Sequence, residues 1–286
     1  MDLIFSILAS SFIFVLFKSF PRYGIDTLQA VIANYFVAFS CGTLLFAPHF
    51  PANDLLFQVL PFTVICGILF ISLFILMGLS SQKNGVSSTS VAVKMSMALS
   101  VLGVLFVLSE RLTLSTLVSL FLALLGVYFV SFQRDKAQKT SGVWMLVVLF
   151  FGSAGLDFVL YCSRSLWLPK GFHEGVFAAL GFLTAGILGF IYFCYQRLIG
   201  KAKFHLKSWG AGIALGIPNY FSIYLLVKAY GSLGLTPQQV LSFANVGVVI
   251  SSALLGIVVF REGFSWRKIV GLILSVAALM LSLLTF

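Results

Sequence analysis

The sequence predicts an all-α integral membrane protein whose ten transmembrane helices are arranged as two inverted five-helix repeats. Three observations carry that expectation. Of the residues, 60% are hydrophobic and only 9% are charged, whereas a soluble globular domain carries roughly 25% charged residues. Apolar runs of about 20 residues, the length a helix needs to cross the hydrocarbon core, recur along the whole chain. The carboxyl-terminal parts of the two halves also read alike.

The runs lie near 2–18, 27–46, 58–80, 86–108, 112–132, 142–163, 174–196, 208–230, 237–260 and 266–285. Connections between them are short, so 286 residues hold ten crossings and leave no room for a soluble catalytic domain. The most polar connections are QRDKAQKT at Gln133–Thr140 and QRLIGKAKFHLK at Gln196–Lys207. The first divides the chain into a repeat over 1–133, a linker over 134–140 and a second repeat over 141–286. The opening run, Leu3–Phe17, lacks a basic leader and a small-x-small cleavage site, so it reads as a retained helix.

The net charge of +10 is spread over short loops, where it meets anionic lipid head groups and sets orientation. A nucleic-acid partner is therefore not expected. Loops after odd-numbered helices, together with their flanks, hold thirteen of the eighteen basic residues: Lys18, Arg22, Lys83, Arg134, Lys136, Lys139, Arg197, Lys201, Lys203, Lys207, Arg261, Arg267 and Lys268. Basic loops resist translocation, so both termini are expected outside. The four cysteines, Cys41, Cys66, Cys162 and Cys194, sit within apolar runs without a CxxC pair and read as small hydrophobes. No metal or cofactor is expected.

The repeat appears at an offset of 152 residues, with VLFVLSERLTLSTLVSLFLALLGVYFV at Val104–Val130 falling on GIVVFREGFSWRKIVGLILSVAALMLS at Gly256–Ser282. Glu110 falls on Glu262, Thr113 on Ser265, Leu120 on Leu272, Ser90 on Ser242 and Ser100 on Ser252. Five helices is an odd number, so the halves enter the membrane in opposite senses. Inverted repeats of this kind build two similar gates around a midplane site in many secondary transporters.

With these stretches, and with GVSSTSVAVKMSMALSVLG at Gly85–Gly103 and LTPQQVLSFANVGVVISSALL at Leu235–Leu255, the chain resembles the ten-helix, EamA-like branch of the drug/metabolite transporter superfamily. The turns LSERLT and FREGFS are similar to that family's "GERLT" turn. The resemblance implies two inverted bundles around a central cavity, lined mainly by helices 1, 3, 4, 6, 8 and 9. It implies a secondary transporter of a small polar or anionic metabolite, with export the expected direction, in a cell membrane such as a bacterial inner membrane. It names no substrate. Many relatives keep their termini inside, against the loop charges here. A homodimer is compatible with the sequence.

Lys94 is the basic residue farthest from any helix end, about 12 Å along the fourth helix at 1.5 Å per residue. A lysine at that depth costs roughly 2.5 to 3.5 kcal/mol to insert, so it is expected to face an anion, a carboxylate or water. Ser87, Ser90 and Lys94 share one helical face and suggest a wall for an anionic solute. Asp157, deep in the sixth helix, is the candidate proton-coupling group. The alternative for each is structural: Lys94 snorkelling to the interface or pairing with Asp157. Glu110 and Glu262, beside Arg111 and Arg261, read as interfacial ion pairs.

Gln238, Ser242, Asn245 and Ser252 fall on one face of the ninth helix, and Asn219, Tyr220 and Tyr224 follow Pro218 in the eighth. These groups suit either a polar solute or interhelical hydrogen bonding. A competing class is a membrane-embedded enzyme acting on a lipid-like substrate. His49, His173 and His205 are scattered in loops with no HExxH or paired-carboxylate pattern, which disfavours it.

Overall fold

The computed structural model describes residues 1–46, 53–107, 114–131, 142–162, 174–232, 237–263 and 265–282. Among the described residues the chain is all-helical, with ten α-helices: α1 Asp2–Ser19, α2 Thr27–Phe46, α3 Asn53–Asn84, α4 Val86–Val107, α5 Leu114–Ser131, α6 Val143–Cys162, α7 Glu174–Leu198, α8 Leu206–Ser232, α9 Pro237–Phe260 and α10 Trp266–Ser282. A short 3-10 helix, Phe20–Tyr23, follows α1. Seven of the described helices (α1, α2, α3, α4, α6, α7 and α9) are long and apolar enough to cross a membrane. Large apolar side chains stand exposed along their faces; on α6 Trp144, Val147, Val148 and Phe151 recur at helical spacing. Such faces suit lipid and not water, and the chain is a multi-pass helical membrane protein. The polar linker expected at 134–140 lies outside the described residues.

Helix ends fall close to the positions the apolar runs predict. The largest departure is α3, which runs 32 residues instead of the 23 expected from 58 to 80, about 48 Å of helix. At its carboxyl end only Gly85, at φ 90, interrupts the chain between α3 and α4. Asn84 seals this corner by donating to the Ser80 hydroxyl at 3.0 Å and to the Gly142 carbonyl at 3.0 Å.

The helices cluster into two compact units, each drawing on both halves of the chain. Unit 1 comprises Met1–Ser19, Leu76–Phe158 and Phe221–Phe286. In it α5 packs against α10, α4 against α5 and α9, and α1 against α9. Its core includes Val91, Met95 and Ala98 of α4, Ala123 and Val127 of α5, Val246 and Val249 of α9, and Ala278 and Leu279 of α10. Small residues let α5 and α10 come close: a Cβ on Gly126 would stand 3.1 Å from the Gly271 carbonyl oxygen. The Ser119 hydroxyl donates to the Ala278 carbonyl at 2.8 Å across the same contact.

Unit 2 comprises Phe20–Ile75 and Val159–Tyr220, with α2 packed against α7. Its aromatic centre is Tyr35, whose hydroxyl donates to the Phe70 carbonyl at 2.7 Å and whose ring lies 5.5 Å from Phe74 and 5.9 Å from Phe182. The start of α2 is capped by the Asp26 carboxylate, which accepts from the Gln29 amide at 2.9 Å. Gln29 in turn holds the α7–α8 connection, donating to the Lys203 carbonyl and accepting from the His205 amide, both at 2.9 Å. One polar side chain thus ties the loop that sequence reading marked as polar to the helix beneath it.

Candidate functional site

Most of the candidate polar residues that fall in unit 1 lie on α4, α6 and α9. Lys94 lies eight residues into α4 and is partly exposed, and Asp157 on α6 is exposed. The two charges are within Coulombic reach of each other. No direct ion pair joins them among the described residues. The Ser100 hydroxyl, on the turn of α4 after Ser96, lies 3.4 Å from Asp157 Oδ2 and 3.1 Å from the Ala154 carbonyl, so α4 meets α6 through a serine. The Ser96 hydroxyl donates to the Val93 carbonyl within α4 at 2.6 Å. The sequence marked Ser100 only as a repeat position; its partner in space was not readable from spacing within one helix.

The other expected residues divide between local and long-range partners. Ser87 and Ser90 are fully buried on α4. Ser87 donates to Glu262 Oε2 at 2.9 Å; Ser90 donates to the Ser87 carbonyl at 2.9 Å and accepts from the Ser252 hydroxyl at 2.5 Å. On α9, Asn245 Nδ2 donates to Met97 Sδ at 3.1 Å, and the Ser242 hydroxyl stands 3.9 Å from the same sulfur. Tyr224, partly buried, meets the Phe221 ring edge-on at 6.2 Å. The side chain of Gln238 lies outside the described residues. Asn219 and Tyr220, both buried, follow Pro218 in α8 and belong to unit 2, where Tyr220 packs against Gly42 of α2.

Glu262 forms an ion pair at the α9–α10 turn, with a partner other than its neighbour. Its ion pair runs not to the neighbouring Arg261 but to Lys268, at 3.2 Å, with side-chain exposures of 8% and 3%. The pair is therefore buried within the protein, at the turn between α9 and α10. Burial by itself would raise the Glu262 carboxyl; the Lys268 ammonium, the Val86 amide and the Ser87 hydroxyl outweigh it and hold the group below its usual range. A carboxylate with a lysine six residues later across a short turn was a visible signal. Its burial was not. Glu110, its repeat counterpart, lies outside the described residues.

The fold and these groups define a class: a multi-pass helical membrane protein with charged and hydrogen-bonding side chains placed along its spanning helices. No family model matches the sequence. The chain is 27% identical over 286 residues to an uncharacterized protein of Haemophilus influenzae, covering 97% of this chain and 96% of that one. A solved structure described only as "Crystal structure of protein" is 15% identical, covers 98% of both chains and superposes with a TM-score of 0.59. That likeness establishes a shared fold over nearly the whole chain.

Proposed function

We propose that this chain is a secondary transporter of a small polar or anionic metabolite, an EamA-like member of the drug/metabolite transporter superfamily working by alternating access in a cell membrane. The observation that carries the reading is that Lys94 on α4 and Asp157 on α6, two opposite charges on spanning helices, lie within Coulombic reach of each other with no direct ion pair between them among the described residues. Charges at such depth are expensive unless they meet water, one another or a cargo. An ammonium and a carboxylate left apart retain capacity for a solute. Lys94 takes the anionic part of the cargo, and Asp157 exchanges a proton.

Two further features support the transporter architecture. Helices five positions apart in the chain pack in pairs: α2 with α7, α4 with α9 and α5 with α10. Such pairing is expected of two five-helix repeats related by a two-fold axis, in which equivalent helices meet near the axis. Pro218 inside α8 adds a point where the helix can bend.

Untargeted comparison of metabolites inside and outside cells with and without the protein identifies the solute. A Lys94→Met variant keeps the apolar stem and deletes the charge, so it is expected to insert normally and to lose movement of that solute. Unchanged solute distribution in the variant, at wild-type expression, overturns the role of Lys94. No solute difference between expressing and non-expressing cells across both directions overturns transport.

A further inference from the structure

The start of α4 lacks the features that ordinarily begin a helix. The preceding residue, Gly85, has no side chain to cap with and sits at φ 90, and no acid occupies the first turn. The open amides are met instead by a carboxylate 176 residues away. Glu262 Oε1 accepts from the Val86 amide at 2.6 Å, while Oε2 accepts from the Ser87 hydroxyl at 2.9 Å and its amide at 3.5 Å.

We infer that Glu262 is a positioning residue: sent across from the α9–α10 turn, it takes the place of a local cap on α4 and thereby sets where Lys94 stands. The backbone is shaped to deliver it. Arg261 adopts φ 51, a left-handed conformation unfavourable for a residue with a Cβ, and the Glu262 amide returns to the Gly256 carbonyl at 3.0 Å to close α9. Two glycines leave room for the carboxylate. A Cβ on Gly85 would lie 2.7 Å from Oε1, and one on Gly256 would lie 2.8 Å from Oε2.

The charge is held on its other side by Lys268, and Lys18 at the end of α1 lies within Coulombic reach of both while donating to the Gln82 carbonyl at 3.0 Å. A local cap is disfavoured at position 85, where φ 90 and the nearness of the carboxylate both oppose a side chain. A buried ion pair is a poor source of stability, and its best-attested use is to specify register. Here the register is that of α4 against the α9–α10 turn. Lys94 follows Val86 by eight residues, about 12 Å along a stiff helix, so a shift or rotation at the clasp moves the ammonium relative to Asp157. The consequence for cargo rests on the transport reading above; the clasp itself does not.

The test uses the full chain in lipid nanodiscs, with Glu262→Gln, the double variant Glu262→Gln/Lys268→Met and Glu262→Asp. The double variant removes both charges, so no lysine is stranded if the single variant fails to fold. Hydrogen exchange over residues 83–93 is expected to quicken by about tenfold in the double variant. The pH profile of Lys94 acetylation by acetic anhydride, read by mass spectrometry, is expected to shift with it. Glu262→Asp keeps the charge one methylene short and is expected to show a smaller shift of the same sign. Exchange and acetylation profiles that both match wild type overturn the clasp. Faster exchange with an unmoved Lys94 profile reduces Glu262 to a cap and overturns the positioning role. Neither readout requires a cargo, so a failure of transport and a failure of the clasp are separately visible.

Discussion

At the scale of single residues, charge and amide groups inside the protein are held by partners distant in sequence, and the exceptions are informative. Asn34 of α2 is fully buried, and neither atom of its amide finds a hydrogen-bond partner among the described residues. A buried unsatisfied amide costs about 1 to 3 kcal/mol, whereas an apolar replacement of similar shape carries no such cost. Asn34→Leu is therefore expected to raise the thermal unfolding temperature in detergent; a lowered one would show that the amide has a bound partner. Glu262 gives a pH dependence with a definite sign. Because its folded-state carboxyl titrates below the unfolded value of 4.5, its contribution is present above that pH and is lost as pH falls through the lower, folded value. Between pH 7 and strongly acidic pH, the wild type is expected to lose more stability than Glu262→Gln/Lys268→Met, as measured by thermal melts at each pH.

At the scale of elements, α5 and α10 of unit 1 approach each other where glycines remove side chains. A Cβ on Gly271 would lie 2.8 Å from the Val130 amide nitrogen, and one on Gly126 would lie 3.1 Å from the Ser275 amide nitrogen. Those neighbours are backbone and cannot swing aside. Gly126→Val is expected to force the helices apart and destabilise by about 1 to 3 kcal/mol, the usual cost of overpacking. The measurement is a melting temperature of the purified variant; the same substitution at Gly155, where a Cβ meets nothing within 4 Å, serves as control. The contrast separates close packing from helix propensity, since both sites lie within helices.

At the scale of the whole molecule, loop charges and the odd-helix repeat make linked expectations about membrane sidedness. With thirteen basic residues in or flanking the loops after odd-numbered helices, a cysteine at Lys203 is expected to label only from the cytoplasm, and one at the carboxyl terminus only from outside. If the two repeats are inverted, cysteines at Arg111 and Gly263, in the corresponding turns of the two halves, label from opposite sides. Labelling of Lys203 from outside reverses the orientation. Labelling of Arg111 and Gly263 from the same side removes the inverted repeat and, with it, the symmetric gates of the proposed transport cycle.

Lipid solvent imposes helix length and apolar composition on the primary structure, so the all-helical membrane class and most helix boundaries, including both ends of α2 and α9, were legible before any coordinates. Depth was legible for the same reason, which is why Lys94 and Asp157 stood out: a charge within an apolar run is conspicuous. Partnership was not. Ser100 reaches Asp157 across 57 positions, and Glu262 reaches Val86 across 176, separations that carry no local periodicity. The gathering of helices from both halves into each compact unit was equally hidden. Hydropathy measures the transfer of each segment from water to hydrocarbon, and that term is settled within the segment. Which helices then meet depends on side-chain fit and hydrogen bonds between segments, and only the tertiary structure decides those.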